Sequence, residues 1–376
     1  MAKQDSRIGS LSIAPDGKKV LSGPASPPGI VNIFAIPSGK RLLQFGEHKN
    51  LVLATAFSPD GRLAATGGGS HKEIYLWEPG AGRIRHKLMG KGRAIWSVGF
   101  ARDGTGLAWG KEPDYSTPNA LIYRGLLQYR FQLRENNRPG RFYPTWGGGV
   151  KSEREYLRAI KAVGAVRIRT ANGQIHPTLE IIENGQVRHR ITRNPTDGNY
   201  HRSLTLTPGG RTVISGGSWG VLASYDVASG RKLERFIGHT GDVWALAPSP
   251  DGRFLVSGGV DQTVRLWEIE SGRLLLNIFA VSDGANDNEW VAWTPAGYYT
   301  ASPNGGRYIG WHINQGEDRL ARYYPAERFA KQFRQPRVVS HYLATGGDLE
   351  RAIALTNAGS PGQERVRETT AAEFFR

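Results

Sequence analysis

A serine within a Gly-x-Ser-x-Gly motif is the residue whose type and spacing come nearest to catalytic chemistry. The motif runs from Gly216 to Gly220, with Ser218 at its centre. Where such a serine acts as a nucleophile, a sharp turn from a strand into a helix exposes its hydroxyl. Here the motif leads from one strand-like run into another. We therefore interpret Ser218 as a hairpin-turn residue.

Other patterns that could support catalysis or metal binding are weak in this sequence. The 376 residues include no cysteine, which excludes disulfides, thiolate metal sites and a cysteine nucleophile. The nine histidines show no zinc-site spacing, and Asp283, Asp287 and Asn288 lack the spacing of a Ca²⁺ loop. A P-loop and a His-Glu-x-x-His motif are also missing. We expect a protein that is not an enzyme, with no catalytic residue, no metal and no cofactor.

A repeat organises most of the chain. Each copy has an apolar run, a turn resembling Pro-Asp-Gly, and a second apolar run that often ends in Gly-Gly. The turn anchors are Asp16, Asp60, Asp103, Gly209, Asp251 and Ala296, spaced 42 to 45 residues apart except for one gap of 106. That gap has room for one degenerate repeat with insertions, which makes seven. Repeats of this length with period-two alternation predict four-stranded blades of a β-propeller.

The sixth repeat is the most complete. It carries Gly238-His239, Ser257, Asp261 and Trp267 in order, and it resembles a full WD40 repeat. The resemblance implies that His239, Ser257, Asp261 and Trp267 form a hydrogen-bonded network inside the blade. The alternative is that His239 and Asp261 form a catalytic pair. Buried polar side chains must be paired under either interpretation.

The other repeats keep less of this set. The second repeat retains His48, Thr66 and Trp77, with Ser70 at the position of the acid. The first, third, fifth and seventh repeats lack more of it. We expect these blades to depend on apolar packing against their neighbours, as the units of a repeat protein do.

The predicted fold is all-β: a seven-bladed WD40-type β-propeller with a short helical C-terminal extension. The predicted boundaries are 7–316 for the propeller, with an irregular insertion near 111–160, then 317–358 for the extension and 359–376 for a disordered tail. Within the long gap, 165–170 and 178–182 are predicted as strands of the fourth blade. Asp318–Phe333 and Asp348–Leu355 are predicted as helices. Residues 1–6 are short for an outer strand, so we expect the ring to close poorly or to borrow a strand from the tail.

A narrower resemblance rests on four segments. They are Arg193–Ser203, Glu289–Pro303, Tyr308–Asn314 and Tyr324–Phe329. Together they resemble the propeller region of bacterial proteins that join WD repeats to a caspase-like peptidase domain, over about residues 10–355. Such a peptidase needs a cysteine nucleophile. Because this chain has none, the resemblance implies the docking half of such a protein, without proteolysis.

Docking residues follow from the register of the innermost strands. Counting seven residues back from the turn anchors selects Leu53, Trp96, Arg202 and Trp244, and Trp290 lies one residue out of step. In WD propellers these positions face one rim of the ring. Aromatic and arginine side chains dominate protein-interface hot spots. The sequence therefore predicts a partner-binding rim, although packing between blades would also explain the tryptophans.

An uneven distribution of charge supports a second hypothesis. The net charge is +16, and residues 81–200, with 21 Lys/Arg and 9 Asp/Glu, hold +12 of it. Arg130, Arg134, Arg138 and Arg141 lie near Tyr129, Phe131 and Tyr143, an arrangement that could hold phosphates and stack on unpaired bases. A solvated basic face is the simpler interpretation.

The functional prediction is a non-catalytic scaffold that docks a protein partner, a caspase-like effector by resemblance, on its rim. The alternative is a nucleic-acid-binding propeller that uses the basic region 81–200. A gene fragment without activity is a third interpretation. No stretch has the 18 consecutive apolar residues of a membrane span, and Met1–Ser6 is polar. We therefore expect a cytoplasmic monomer with no membrane partner.

Overall fold

The computed structural model describes residues 8–25, 29–48, 51–68, 73–88, 93–112, 125–134, 142–173, 175–281, 289–313, 322–359 and 365–375. The chain divides into two compact units, residues 1–91 and 92–376, and each is described by itself. Residues 1–6, which are expected to be too short for an outer strand, lie outside the described residues, so the predicted poor closure of the ring stays a prediction.

The first unit contains two antiparallel four-stranded sheets, each with its strands in sequence order. The first sheet comprises β1 (Ile8–Ile13), β2 (Lys19–Pro24), β3 (Val31–Ala35) and β4 (Arg41–Phe45). The second sheet comprises β5 (Val52–Phe57), β6 (Ala64–Gly68), β7 (Glu73–Trp77) and β8 (Ile84–Leu88). The β1–β2 and β5–β6 turns hold Gly17 and Gly61 at φ of +68°, which a side chain would disfavour. Strand β5 packs against β1 and β2, so that Leu21, Val52 and Trp77 share one apolar core.

The second unit contains four sheets of four to six strands and a hairpin. The third sheet comprises β9 (Ser97–Ala101), β10 (Gly106–Gly110), β11 (Tyr129–Arg134), β12 (Phe142–Gly149) and β13 (Tyr156–Leu157). The fourth sheet comprises β14 (Ala162–Val163), β15 (Val166–Thr170), β16 (Thr178–Glu183) and β17 (Gln186–Thr192). The fifth comprises β18 (Ser203–Leu206), β19 (Thr212–Gly216), β20 (Leu222–Asp226) and β21 (Lys232–Arg235). The sixth comprises β22 (Val243–Pro248), β23 (Phe254–Gly259), β24 (Val264–Glu268), β25 (Leu274–Ala280), β26 (Trp290–Trp293) and β27 (Tyr299–Ala301), and the hairpin is β28 (Gly310–Ile313) with β29 (Arg322–Pro325).

The sixth sheet lies between the fifth and the third. On one side, the Ser203 hydroxyl donates to the Val243 carbonyl at 2.8 Å. On the other, the Ile95 amide donates to the Gly259 carbonyl at 3.0 Å. The fourth sheet packs against the fifth in a separate apolar core that includes Leu179 and Leu204. The third sheet therefore takes the place beside the sixth where the sequence predicts a seventh blade.

The strands of the predicted seventh repeat extend the sixth sheet and do not form a separate blade. Strand β26 pairs with β25, and β27 pairs with β26. The cause lies in β25, whose sequence Leu-Leu-Leu-Asn-Ile-Phe-Ala is largely buried, whereas the corresponding strand β8 is exposed throughout. An apolar outer strand must be covered, and here another strand covers it. Six sheets of four or more strands are present within the described ranges, not seven.

Much of the predicted insertion belongs to the third sheet. Strands β11 and β12 complete it, although the glycines at 147–149 predict a loop. Gly147 allows close packing, because a Cβ there would lie 2.8 Å from Cγ of Arg130. The segment 156–161 then crosses to the fifth sheet: β13 pairs with β9, and the Leu206 amide donates to the Ile160 carbonyl at 2.8 Å. This crossing segment joins the innermost strands of the third and fifth sheets.

The region after the sheets is partly helical. It contains α1 (Ala330–Phe333), α2 (Pro336–Ala344), α3 (Leu349–Ala358) and α4 (Ala371–Phe374). Asp348 caps α3 by accepting from the Arg351 amide. The helix predicted at Asp318–Phe333 is wrong in its middle, because Arg322–Pro325 pairs with β28 and Ala326–Phe329 is a 3₁₀ turn. The predicted disordered tail is also wrong over residues 365–375, where α4 packs through Phe374 and Phe375 against other aromatic rings.

None of the helices in the described ranges has the length and apolar character needed to cross a membrane.

Candidate functional site

The sixth sheet contains the predicted polar network. The indole N–H of Trp267 donates to the Ser257 hydroxyl at 2.7 Å, and that hydroxyl lies 2.7 Å from Nε2 of His239. Nδ1 of His239 lies 2.8 Å from Oδ2 of Asp261, which also accepts from Arg265 at 3.2 Å. Each polar atom of the chain from Trp267 to Asp261 has a partner. This hydrogen-bonded network, which we call the staple, links β23 to β24, as the WD40 resemblance implies.

Burial acts on the protonation of both His239 and Asp261, and hydrogen bonding opposes it at Asp261. Burial lowers the pKa of His239, against the opposing effect of Asp261. Burial would raise the pKa of Asp261, but hydrogen bonding to His239 and the charge of Arg265 hold it well below the usual value. A neutral His239 can donate from Nδ1 to the Asp261 carboxylate and accept at Nε2 from the Ser257 hydroxyl, which is the arrangement that this network needs. The ring is buried, so it is poorly placed to act on a substrate.

The second sheet has a similar Trp-to-His chain, with a different acid at ion-pair distance. Trp77 donates to the Thr66 hydroxyl at 3.1 Å, and that hydroxyl lies 2.9 Å from Nε2 of His48. Glu73 Oε1 lies 3.6 Å from Nδ1 of His48, and both side chains are buried. Glu73 thus supplies the carboxylate of this network. In the repeat pattern the position of the acid is Ser70, a residue outside the described ranges. A longer side chain three residues later reaches the same ring.

A buried arginine reaches into the interior of the fifth sheet. Arg193 is 3% exposed, and its Nη2 donates to the Ser215 carbonyl at 2.7 Å. A Cβ on Gly217 would overlap Nη1 of Arg193, so glycine is required at this position. His201 contacts the Ser215 hydroxyl at 2.6 Å, and burial, aided by the nearby Arg193 charge, lowers its pKa to about 3. The fifth sheet therefore stabilises its interior without a tryptophan.

Three of the five predicted docking residues meet in the second unit. Trp96 precedes β9, Arg202 precedes β18, and Trp244 is the second residue of β22. They come together because β22 lies between β9 and β18. The rings of Trp96 and Trp244 lie 5.1 Å apart, and the guanidinium of Arg202 lies 4.7 Å from the centre of the Trp244 ring. All three side chains are half-buried.

Asp242 and Ser218 orient the arginine of this group. Nε of Arg202 lies 3.0 Å from Oδ2 of Asp242 and donates to the Ser218 hydroxyl at 3.0 Å. The side chains of Arg202 and Asp242 are 19% and 25% exposed, so the pair is shielded from water but remains accessible. A guanidinium held in this way stacks over an indole in a fixed orientation. The surface therefore presents an ordered aromatic and cationic group.

Trp219 is the residue of this surface that the sequence analysis did not identify. Its side chain is 62% exposed, and its amide donates to Oδ1 of Asp242 at 3.3 Å. Its φ of 56° lies in the left-handed region, which is unusual for a bulky residue. Backbone strain of this kind is concentrated at functional sites. Gly220 follows it, and a Cβ there would overlap the His239 carbonyl. The available signal was a tryptophan inside the glycine-rich Gly216–Gly220 turn.

We name Trp96, Arg202, Trp219 and Trp244 the tryptophan–arginine surface. The two remaining predicted docking residues lie elsewhere. Leu53 belongs to the first unit, on β5, and is 64% exposed. Trp290 is 6% exposed and packs 5.1 Å from the ring of Phe131 in the core of the second unit. Its predicted docking role is a misassignment, because β26 joins the sixth sheet and buries the ring.

Two of the four predicted nucleic-acid contacts lie within the described residues. Nε of Arg130 donates to the Gly147 carbonyl, and the guanidinium of Arg134 lies 4.9 Å from the centre of the Phe142 ring. Both side chains are half-buried and engaged within the third sheet. Arg138 and Arg141 lie outside the described residues. The geometry therefore does not favour phosphate contacts at Arg130 or Arg134.

The Gly-x-Ser-x-Gly motif forms a hairpin turn between β19 and β20, as predicted. Residues 218–220 make a tight turn between two antiparallel strands, with Trp219 in the left-handed conformation, and Ser218 is 4% exposed. A buried serine whose hydroxyl accepts from Arg202 lacks both the elbow and the adjacent base of a nucleophile. No group of three or more potential metal-ligating side chains occurs among the residues that the structure describes.

Comparison with known families identifies two WD40 repeats. Residues 39–78 and 230–268 match the WD40 family, described as WD domain, G-beta repeat. Each match begins beside the outermost strand of one sheet and ends in the third strand of the next, from β4 to β7 and from β21 to β24. These are the two repeats with a His-to-Trp network. No curated protein matches the chain.

Proposed function

We propose that this protein is a non-catalytic scaffold that binds a protein partner on the tryptophan–arginine surface. WD40 repeats generally mediate protein–protein interaction. The observation that carries the proposal is Trp219, an exposed indole in a left-handed conformation whose backbone amide bonds to Asp242, the ion-pair partner of Arg202. Strain of this kind persists only where the surrounding structure imposes it. A preorganised aromatic and arginine cluster is the composition of an interface hot spot.

The partner class rests on sequence resemblance alone. The segments Arg193–Ser203 and Glu289–Pro303 resemble the propellers of bacterial proteins with a caspase-like domain. Arg193–Ser203 includes Arg202, and the resemblance therefore includes part of the proposed surface. We propose a caspase-like effector, encoded separately, as the partner.

Replacing Trp219 by glycine should separate binding from folding. The variant removes the exposed indole and relieves the left-handed strain, so the free energy of unfolding should stay constant or rise by up to about 1 kcal/mol. Partner binding should fall by about 30-fold or more, the loss expected at a hot spot. The measurement is affinity purification from the native host after nuclease treatment, with urea unfolding of each purified variant.

Gln262→Gly is the matched control. Gln262 also has a positive φ, of 70°, but it lies in the β23–β24 turn. The control should relieve the same kind of strain and retain the partner. A protein recovered equally with Trp219→Gly and with wild type would contradict the proposed surface, and material that disappears with nuclease would favour the basic region.

A further inference from the structure

Residues 365–375 lie against the rest of the second unit as a bound peptide would, and we name them the docked segment. Of its eleven residues only Ala371 is buried, whereas Phe374 is 43% exposed and Phe375 is half-buried. By comparison, Phe100, Phe131 and Phe333 in the same core are at most 2% exposed. A segment that leaves its two largest apolar side chains partly in water is a peripheral addition to the core.

The hydrogen bonds to this segment are directed at its backbone. The side-chain amide of Asn357 donates to the Val366 carbonyl at 3.0 Å, and its oxygen accepts from the Val366 amide at 2.9 Å. The Tyr298 hydroxyl lies 3.0 and 2.9 Å from the carbonyls of Arg367 and Thr369. The Ala371 amide donates to the Ala296 carbonyl at 2.9 Å. Backbone recognition of this type accepts any chain that places suitable side chains in the adjoining pockets.

The side-chain requirements of the groove are a small residue and a following aromatic pair. Gly297, at φ +95°, carries no side chain, and a Cβ there would lie 2.6 Å from Cβ of Ala371. Phe375 stacks on Tyr324 with ring centres 4.8 Å apart, and Phe374 packs edge-on against Phe329 at 5.4 Å. The pattern that fits the groove is therefore Ala-x-x-Phe-Phe.

We propose that this groove is a second protein-binding site, specific for segments with an Ala-x-x-Phe-Phe pattern in a short helical turn, and that residues 365–375 are its resident ligand. A partner segment of this pattern displaces the docked segment. The groove differs from the tryptophan–arginine surface in every residue that forms it. The short connection from α3 to the docked segment, residues 360–364, gives the resident ligand an effective concentration on the order of millimolar. A partner segment must compete with this resident ligand, so it binds only if it matches the pattern or is present at a high local concentration.

The first test uses the full chain and a fluorescent synthetic peptide with the sequence of residues 365–375. The variant Phe374→Ala/Phe375→Ala weakens the resident ligand and leaves the groove intact. Its affinity for the peptide should exceed that of wild type by roughly tenfold or more, because wild type has its groove occupied. Adding Asn357→Ala should weaken binding again, since two backbone hydrogen bonds are lost. A peptide with both phenylalanines replaced by alanine should not bind.

The second test needs no substitution. Hydrogen–deuterium exchange of wild type is followed with and without millimolar unlabelled peptide. Displacement should increase deuterium uptake in residues 366–375 and leave β22–β24 unchanged. Equal peptide affinity of the variant and wild type, absence of binding to a folded variant, or unchanged uptake at saturating peptide would each overturn the proposal and make the docked segment a fixed part of the fold.

Discussion

Replacing Ser257 by alanine should lower the free energy of unfolding of the second unit by about 2–4 kcal/mol. The hydroxyl accepts from the indole N–H of Trp267 and bonds to Nε2 of His239, and both partners are buried. Alanine leaves one donor and one acceptor unpaired without creating space for water. Each unpaired buried group costs about 1–3 kcal/mol. Urea unfolding followed by tryptophan fluorescence measures the loss.

Ser271→Ala is the control for this prediction. Ser271 lies in the turn between β24 and β25 of the same sheet, and its hydroxyl donates to Glu268 at 2.6 Å, but the pair is exposed. Its loss should cost less than about 0.5 kcal/mol, as is usual for surface substitutions. Equal destabilisation by both variants would show that the staple does not hold the sixth sheet together.

Acidification should destabilise the protein between pH 6.5 and pH 3. Burial lowers the pKa of His48, His201 and His239, and that of His201 falls to about 3. A histidine whose folded pKa is depressed binds its proton only on unfolding. Its contribution is therefore complete above pH 6.5 and is lost as the pH falls toward the folded pKa. His201 alone should cost about 1.4 kcal/mol on moving from pH 7.5 to 5.5, and the other two act in the same direction.

The variant His201→Gln tests the origin of this pH dependence. It should be less stable at pH 7.5 because it loses the contact with Ser215, but its further loss at pH 5.5 should be smaller than that of wild type by about 1.4 kcal/mol. His86→Gln, at an exposed position on β8, should keep the full pH dependence. Urea midpoints at the two pH values give the comparison. An unaltered pH dependence in His201→Gln would rule out its buried ring as a contributor.

Features set by short spacing were predictable from the sequence. One repeat contains His239, Ser257, Asp261 and Trp267. Strand β23, which contains Ser257, pairs antiparallel with β24, which contains Trp267. The network in the second sheet was only partly predictable. Counting positions selects Ser70, whereas the longer side chain of Glu73 reaches His48 from the start of β7. Side-chain length can compensate for a shift in position, and counting alone does not detect this.

Features set by the order of the sheets were less predictable. The register rule placed Trp96, Arg202 and Trp244 at equivalent ends of inner strands, and that is where they lie. It failed for Trp290, because which sheets are neighbours is decided by long-range packing of apolar strands such as β25. Trp219 was not predicted, because the Gly-x-Ser-x-Gly pattern around it indicates serine chemistry and not an exposed indole. Phe374 and Phe375 lie in a polar segment, whose composition gives little indication of a groove elsewhere in the chain.

The crossing segment at residues 156–161 has a consequence for cooperativity. In an array of repeats that contact only their sequence neighbours, end units can unravel one at a time. Here Leu157 pairs with Phe100 of the third sheet, and three residues later Ile160 bonds to Leu206 of the fifth. Because the crossing segment is only a few residues long, neither sheet can separate without straining the other. The third, fifth and sixth sheets should therefore open as a single exchange unit, with slow amides at Leu206 and Phe100 losing protection together.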